Sequence, residues 1–489
     1  MKSDLVQQIT LYKYRYIAGF GALLLFILAV TTWRFWALPD GLSVNEMAAA
    51  TTAGHFSLPQ ILSEVVNLPW TILEWLSIKV FGASVFAFRL PAIILMILSA
   101  GGLVMLLRKW SRDNIAVISG FLTITSVFFI SLSRSATPLA MTTFLIVMIL
   151  LSTLTIIRAV EKFGSGGEKN QVRRSWRTFL AKIILCIALA LLCYQAAGIY
   201  LVVMFVVVGV FHPKTRLIFV KSKPWKIIIG ASAGLAVMTP LAVGLIAGGS
   251  TTLTKWLVLN GAWSPEHLST SWATLFGLEI GFADGLVTPL LTLVSLIIAL
   301  LGLMKIGAGI LSARAYLVLP FLLTTLALSA WQPELVYLLF VPLALLTTVG
   351  VETLVREWYN LFPRNPYARI LGVVTLTILI GGLVWASMTR FSLSQNYDTR
   401  VVDNYNQEYS AVRSVLLGER NAVMLIVSPD EQEFYEILRS DFPKLEVSTK
   451  MKKDVHSIVL GSASVQSEEI PSKIVTSWRS ENAVLLRIY

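Results

Sequence analysis

The chain has 489 residues, of which 56% are hydrophobic and only 14% charged, and its formal net charge is +12. A soluble protein of this size would carry about 25% charged residues, so the composition excludes a soluble enzyme and indicates a polytopic membrane protein. Nor is the positive charge a nucleic-acid footprint. When the apolar runs are grouped into spans of about 20 residues, alternate connections, starting with the N-terminal tail, hold 23 Lys and Arg against 6 Asp and Glu. The opposite connections hold 4 against 8. This is the positive-inside pattern of a plasma-membrane protein with a cytoplasmic N-terminus.

In chain order, the first span runs from Ile17 to Leu38 and is too long for a signal-peptide core. An external loop follows, residues 39–89. Within it, the stretch Pro69–Phe81 reads as an amphipathic helix on the outer interface. Spans two to four are expected at 90–107, 114–133 and 139–157, with a very short external turn at Arg134–Pro138. The fifth and sixth cover about 183–211. They carry Cys186 and Cys193, which lie seven residues apart on one helix and are too distant to bridge. The seventh, at 227–248, leads to a second long external loop, 249–284. Four more spans bring the expected total to about eleven transmembrane helices.

Composition changes at the end of this membrane region, residues 1–390. From Arg390 onward there are 12 Lys and Arg against 14 Asp and Glu. Residues 421–427, 456–460 and 483–488 read as strands. Ser428-Pro429, followed by acidic residues, reads as a helix start. Residues 391–489 are therefore expected to form a small extracytoplasmic α/β domain, a lid or partner-binding module with no phosphate loop.

The 39–89 loop holds the polar residues at the mouth of the bundle, and chemistry is expected there. The chain carries Asn45-Glu46 after the first span and Leu68-Pro69-Trp70-Thr71-Ile72-Leu73 in the interfacial stretch. It then has Phe81-Gly82, Arg89-Leu90-Pro91 where the second span opens, and Ser133-Arg134 after the third. In this order the signals resemble the GT-C glycosyltransferases, in particular the group of protein O-mannosyltransferases and lipid A aminoarabinose transferases. The resemblance covers residues 17 to 160 best. It implies a membrane glycosyltransferase that takes a sugar from a polyprenyl-phosphate donor by inverting displacement. The acceptor would be a lipid, glycan or protein hydroxyl on the outer face. Two departures stand out: Asn45 occupies the place of the family's usual aspartate, and Ser133-Arg134-Ser135-Ala136-Thr137 that of Ser-Arg-Glu-Ala-Arg.

The resemblance makes Glu46 the candidate base, taking the acceptor proton. The spacing Ser43-Val44-Asn45-Glu46 also fits a capping box, in which Glu46 closes on the backbone. Arg89 and Arg134 are candidate clamps for the donor phosphate; snorkelling to the interface is the alternative. Asn45 and Trp70 complete the candidate substrate-binding set, and interfacial anchoring is the other reading of Trp70. His55, Glu64, Glu266 and His267 have no metal-ligand spacing, and no metal or other cofactor is assigned. Two rivals remain. One is an inactive scaffold of the same fold in an envelope-polymer assembly complex. The other is a lipid flippase or transporter, which should bury ionisable residues in mid-span.

Overall fold

The apolar runs fold as helices. The computed structural model describes residues 15–32, 39–56, 65–161, 168–211, 224–258, 264–277, 281–283, 286–310, 312–362, 366–419, 421–451, 456–463, 471–476 and 484–489. The first half contains α1 (Arg15–Thr32), α2 (Val44–Gly54), α3 (Leu68–Phe81), α4 (Val85–Trp110), α5 (Asp113–Ile124), α6 (Val127–Ser133), α7 (Leu139–Glu161), α8 (Glu168–Leu192) and α9 (Gly198–Phe211). Then follow α10 (Pro224–Leu257), α11 (Pro265–Phe276), α12 (Leu293–Gly307), α13 (Ala313–Trp331), α14 (Phe340–Leu361) and α15 (Pro366–Tyr397).

Six helices among the described residues are long and apolar enough to cross a bilayer, or seven if α5 and α6 form one bent span. Gly21–Thr32 within α1, α9 and α12 are apolar but shorter. The protein is thus a multi-pass helical membrane protein, and length and composition give fewer full spans than the expected eleven. The expected straight third span is instead bent by 63° at Thr125-Ser126. There Ser126 turns extended and its hydroxyl accepts the Phe129 N–H, which caps a new helix.

Small residues let the long helices close. A Cβ on Gly302 of α12 would lie 2.0 Å from the Leu346 carbonyl oxygen of α14, and one on Gly350 would lie 1.9 Å from that of Ile298. The two backbones touch, as membrane helices do where side chains are smallest.

The tail folds on a mixed sheet. Strands β5 (Val423–Ile426), β6 (Leu445–Ser448), β7 (Ser457–Leu460), β8 (Lys473–Thr476) and β9 (Val484–Ile488) lie in the order β6-β5-β7-β9-β8. β5 is parallel to β6 and β7; β9 is antiparallel to β7 and β8. The expected helix start at Ser428 is a 3-10 turn, Pro429–Glu431, without a side-chain cap.

The boundary expected at Arg390 falls inside α15, which continues to Tyr397. The tail is also joined to the first loop. Strand β1 (Leu42–Ser43) pairs with β4 (Tyr405–Asn406), and β2 (Gly281–Ala283) pairs with β3 (Leu286–Thr288) between α11 and α12. Gly41 sits at φ +88°, where a Cβ would lie 2.3 Å from the Asn406 oxygen, so only glycine allows this approach. Beyond the interfacial helix, Asp441 accepts the Ala83 N–H at 2.8 Å, while Tyr409 and Arg413 donate to the Ala83 carbonyl at 3.0 and 2.9 Å.

Candidate functional site

The site is built where three segments meet: the loop before α2, the start of α4 and the turn after α6. Ser43 leaves β1 in an extended conformation and caps α2. Its hydroxyl accepts the Glu46 N–H at 3.3 Å, and its own N–H donates to Glu46 Oε2 at 2.9 Å. This is the capping box read from the spacing.

Glu46 does more. Its Oε1 accepts Arg89 Nε and the Ala136 N–H, both at 2.9 Å, and its Oε2 also accepts Arg89 Nη2 at 3.1 Å. All four lone-pair sites of the carboxylate are therefore filled. Arg89 is similarly occupied, since it also donates to the carbonyls of Pro39 and Gly41 at 2.7 and 2.6 Å. Both side chains are 0% exposed. The expected base and phosphate clamp are thus brought together, but onto each other. A proton could reach Glu46 only if one of these four bonds opened.

Arg134 follows α6 and is 3% exposed. It donates to the Val30 carbonyl of α1 at 2.9 Å and lies 5.0 Å from the centre of the Phe391 ring of α15. It therefore braces three helices around the turn. Asn45, one residue before Glu46, is exposed.

Helix α3 is oriented with its apolar side out. Ile72, Leu76, Val80 and Phe81 are exposed, whereas Trp70, Thr71, Glu74, Ser77 and Ile78 are buried. An interfacial helix does this when lipid covers its outer face and protein its inner one. Trp70, read from sequence as a binding residue or an anchor, is on the inner face and only 1% exposed. Glu74, one turn later, was given no role from the sequence. The signal was present in the spacing of Ile72, Leu76 and Val80, which assigns Glu74 to the opposite face.

Glu74 is fully buried, and neither carboxyl oxygen has a hydrogen-bond partner among the described residues. Burial pushes its pKa well above the usual carboxylate range. The Trp70 indole pulls it back without closing a hydrogen bond, and the nearby Glu46 charge raises it further.

His55 and His267 bond the carbonyls of Thr51 and Trp331, and Glu64 lies outside the described residues. No group of three or more His, Cys, Asp or Glu among the described residues could hold a metal ion.

A second acidic cluster lies at the carboxyl ends of β5 and β7. Both Glu408 oxygens accept from Ser462, its N–H and its hydroxyl, at 2.8 Å. The same hydroxyl lies 3.2 Å from Glu431, which accepts from Asn406 of β4 at 3.1 Å. Burial pushes the Glu408 pKa up to about 6. The Ser462 donors oppose this, and Glu431 adds to it. A carboxyl that holds its proton more tightly when folded favours the folded state at low pH. Stability should fall as pH rises from about 4.5 to 6, then level off. Glu408→Gln should flatten that fall and be the more stable protein above pH 6. Thermal unfolding in detergent across pH 4–8 checks this, and an unchanged wild-type slope in the variant would refute it.

The helical arrangement matches one class of protein: the chain has the fold of the GT-C membrane glycosyltransferases. Residues 67–243 match the family described as dolichyl-phosphate-mannose-protein mannosyltransferase. ArnT from Cupriavidus metallidurans is similar in structure. Its apo form gives a TM-score of 0.52 at 11% identity, over 91% of this chain and 93% of that one. ArnT bound to undecaprenyl phosphate gives 0.50 at 10% identity, over 98% of each chain. An oligosaccharyltransferase of Archaeoglobus fulgidus gives 0.48 at 12% identity over 89% of this chain, which spans 65% of its length. No curated protein sequence matches significantly.

Proposed function

We propose that the chain is an integral-membrane glycosyltransferase. In this reading it moves a sugar from a polyprenyl-phosphate donor to a lipid, glycan or protein hydroxyl on the outer face of the plasma membrane. The bond from the sugar's anomeric carbon to the phosphate breaks as the acceptor oxygen attacks from the opposite side, so the configuration inverts. The charge asymmetry supports a cytoplasmic N-terminus and an extracytoplasmic tail. No resident metal is part of the proposal, because a lipid-phosphate donor brings no nucleotide diphosphate to be held.

The observation that carries this reading is an apolar cavity of about 760 Å³ between α9 and α13. It runs from Tyr200 and Trp331 to Phe211 and Tyr316, and among the described residues no charged side chain lines it. At about 1.5 Å per residue, α9 alone gives a wall of about 20 Å, much of the ~30 Å hydrocarbon thickness. A flexible isoprenoid chain suits such a wall; a nucleotide sugar does not. That the similar ArnT structure holds undecaprenyl phosphate is in keeping with this choice. Ala327→Trp, which fills the cavity, should weaken binding of undecaprenyl phosphate at least tenfold while the protein still melts as wild type. Equal binding by the variant would remove the cavity from the donor site.

Arg89 and Arg134 as cations for the leaving phosphate belong to the same proposal, whereas Glu46, the base expected from the sequence, already holds four donors on its carboxylate. All three are buried, so the phosphate would have to reach them beneath the first loop. A second reading, an inactive scaffold of this fold, is favoured by one observation. Asn45 replaces the family's aspartate, and its neighbour Glu46 has no lone pair left to offer. Transfer of labelled sugar by the purified wild type separates the two readings.

A further inference from the structure

A buried carboxyl group without hydrogen bonds is costly, and natural proteins rarely keep one. Glu74 is such a group. Its two oxygens are not the only unmatched buried atoms in this half of the chain. Among the described residues, Trp70 Nε1, Ser135 Oγ, Thr137 Oγ1 and Gln195 Nε2 are buried and also find no partner. These atoms come from three segments tied together locally. The turn with Ser135 and Thr137 is fixed to Glu46 through the Ala136 N–H. Tyr194 and Ala196, which flank Gln195, bond to Asn67 at the start of α3: Asn67 N–H donates to Tyr194 O at 2.7 Å, and Asn67 Oδ1 accepts the Ala196 N–H at 3.4 Å. Glu74 and Trp70 leave an acceptor and a donor open on the inner face of α3, and the segments tied to Glu46 and Asn67 carry further open hydroxyl and amide groups that a hydroxyl-rich ligand can pair.

We propose that Glu74, not Glu46, is the base that meets the acceptor hydroxyl. This rests on the transferase reading above. Glu46 has four donors on its carboxylate, whereas Glu74 has beside it only the Trp70 indole, which closes no hydrogen bond, and sits on the inward face of α3. In the step, the acceptor oxygen bonds to the anomeric carbon and its proton passes to a Glu74 oxygen. The carbon–phosphate oxygen bond breaks, and its electron pair leaves with the phosphate. Glu74 then returns the proton to water. Burial, which raises its proton affinity, makes it a stronger base once ionised. Because Glu74 is fully buried, the layer above it must open when the acceptor enters.

The test uses the full-length protein in detergent, with undecaprenyl-phosphate-linked labelled sugars as donors and a membrane glycolipid extract as acceptor. Transfer and thermal unfolding are measured for the wild type, Glu74→Gln and Glu74→Leu. Transfer should fall by about 10²–10⁴-fold in both variants, while Glu74→Leu melts at a higher temperature than the wild type because the unmatched carboxyl is gone. Wild-type transfer should rise with pH across a range above the ordinary carboxylate titration. If Glu74→Leu does not fold, the nearly isosteric Glu74→Gln carries the test. Undiminished transfer by either variant overturns the role of Glu74 and leaves the transferase reading standing. No transfer by the wild type from any donor overturns both.

Discussion

Glu46→Ala and Arg89→Ala should each destabilise the protein by about 3–5 kcal/mol, the cost of leaving a buried charge without its partner. The geometry makes the two changes near-equivalent. Loss of Glu46 strands a guanidinium at 0% exposure, and loss of Arg89 strands a carboxylate at 0% exposure. Arg89→Lys should rescue little, because one ammonium cannot reach Glu46 and the carbonyls of Pro39 and Gly41 at once. The double variant Glu46→Met, Arg89→Met should be less damaged than either alanine variant, since no charge is left buried. Thermal unfolding in detergent measures all four. If Arg89→Ala melts like the wild type and only transfer is lost, Arg89 is a phosphate ligand and not a brace. The same experiment applied to Glu46→Gln tests its role as base: loss of transfer at unchanged stability would restore Glu46 to the mechanism at the expense of Glu74.

The second large effect is expected inside the membrane. A methyl group on Gly302 or Gly350 has no room, because each points at a carbonyl oxygen about 2 Å away on the partner helix. Backbone cannot rotate aside as a side chain can, so α12 and α14 must separate. Gly350→Ala should cost about 1–3 kcal/mol, the usual range for overpacking, and Gly350→Leu should prevent assembly of the pair. Gly381→Ala, where nothing lies within 4 Å, is the control and should behave as wild type. Unfolding curves and expression level read the series. Equal stability of Gly350→Leu and Gly381→Ala would mean that the two helices are not in contact.

Much of this architecture was legible from local pattern. Apolar runs marked the helices, since hydropathy needs no partner to be recognised. The capping box was visible because Ser43 and Glu46 are three residues apart and close on the same turn. Strands β5, β7 and β9 were visible as short apolar runs, whereas β6, which buries only Leu445, and β8, which buries no residue, were not. What escaped was long-range. Nothing local says that Arg89 reaches back across 43 residues to Glu46, or that the Ala136 N–H completes the carboxylate. The bend at Ser126 hid inside a continuous apolar run because hydropathy does not register a change of direction. Glu74 belongs to no motif, and only once Ile72, Leu76 and Val80 face lipid does its own side of α3 become the interior.

The pairing of Leu42 and Ser43 with Tyr405 and Asn406 has a consequence for how the molecule is made. The segment that leads into Glu46 emerges from the ribosome about 360 residues before the strand that closes on it. At about 5–20 residues per second, the first loop waits on the order of tens of seconds for its partner. During that interval Gly41, Gly82 and Ala83 have no neighbour from the tail. The loop in its final form is therefore a late product of biogenesis. A chain stopped at the end of α15 would retain the described membrane helices and still leave that loop unfinished, an open end for quality control to recognise.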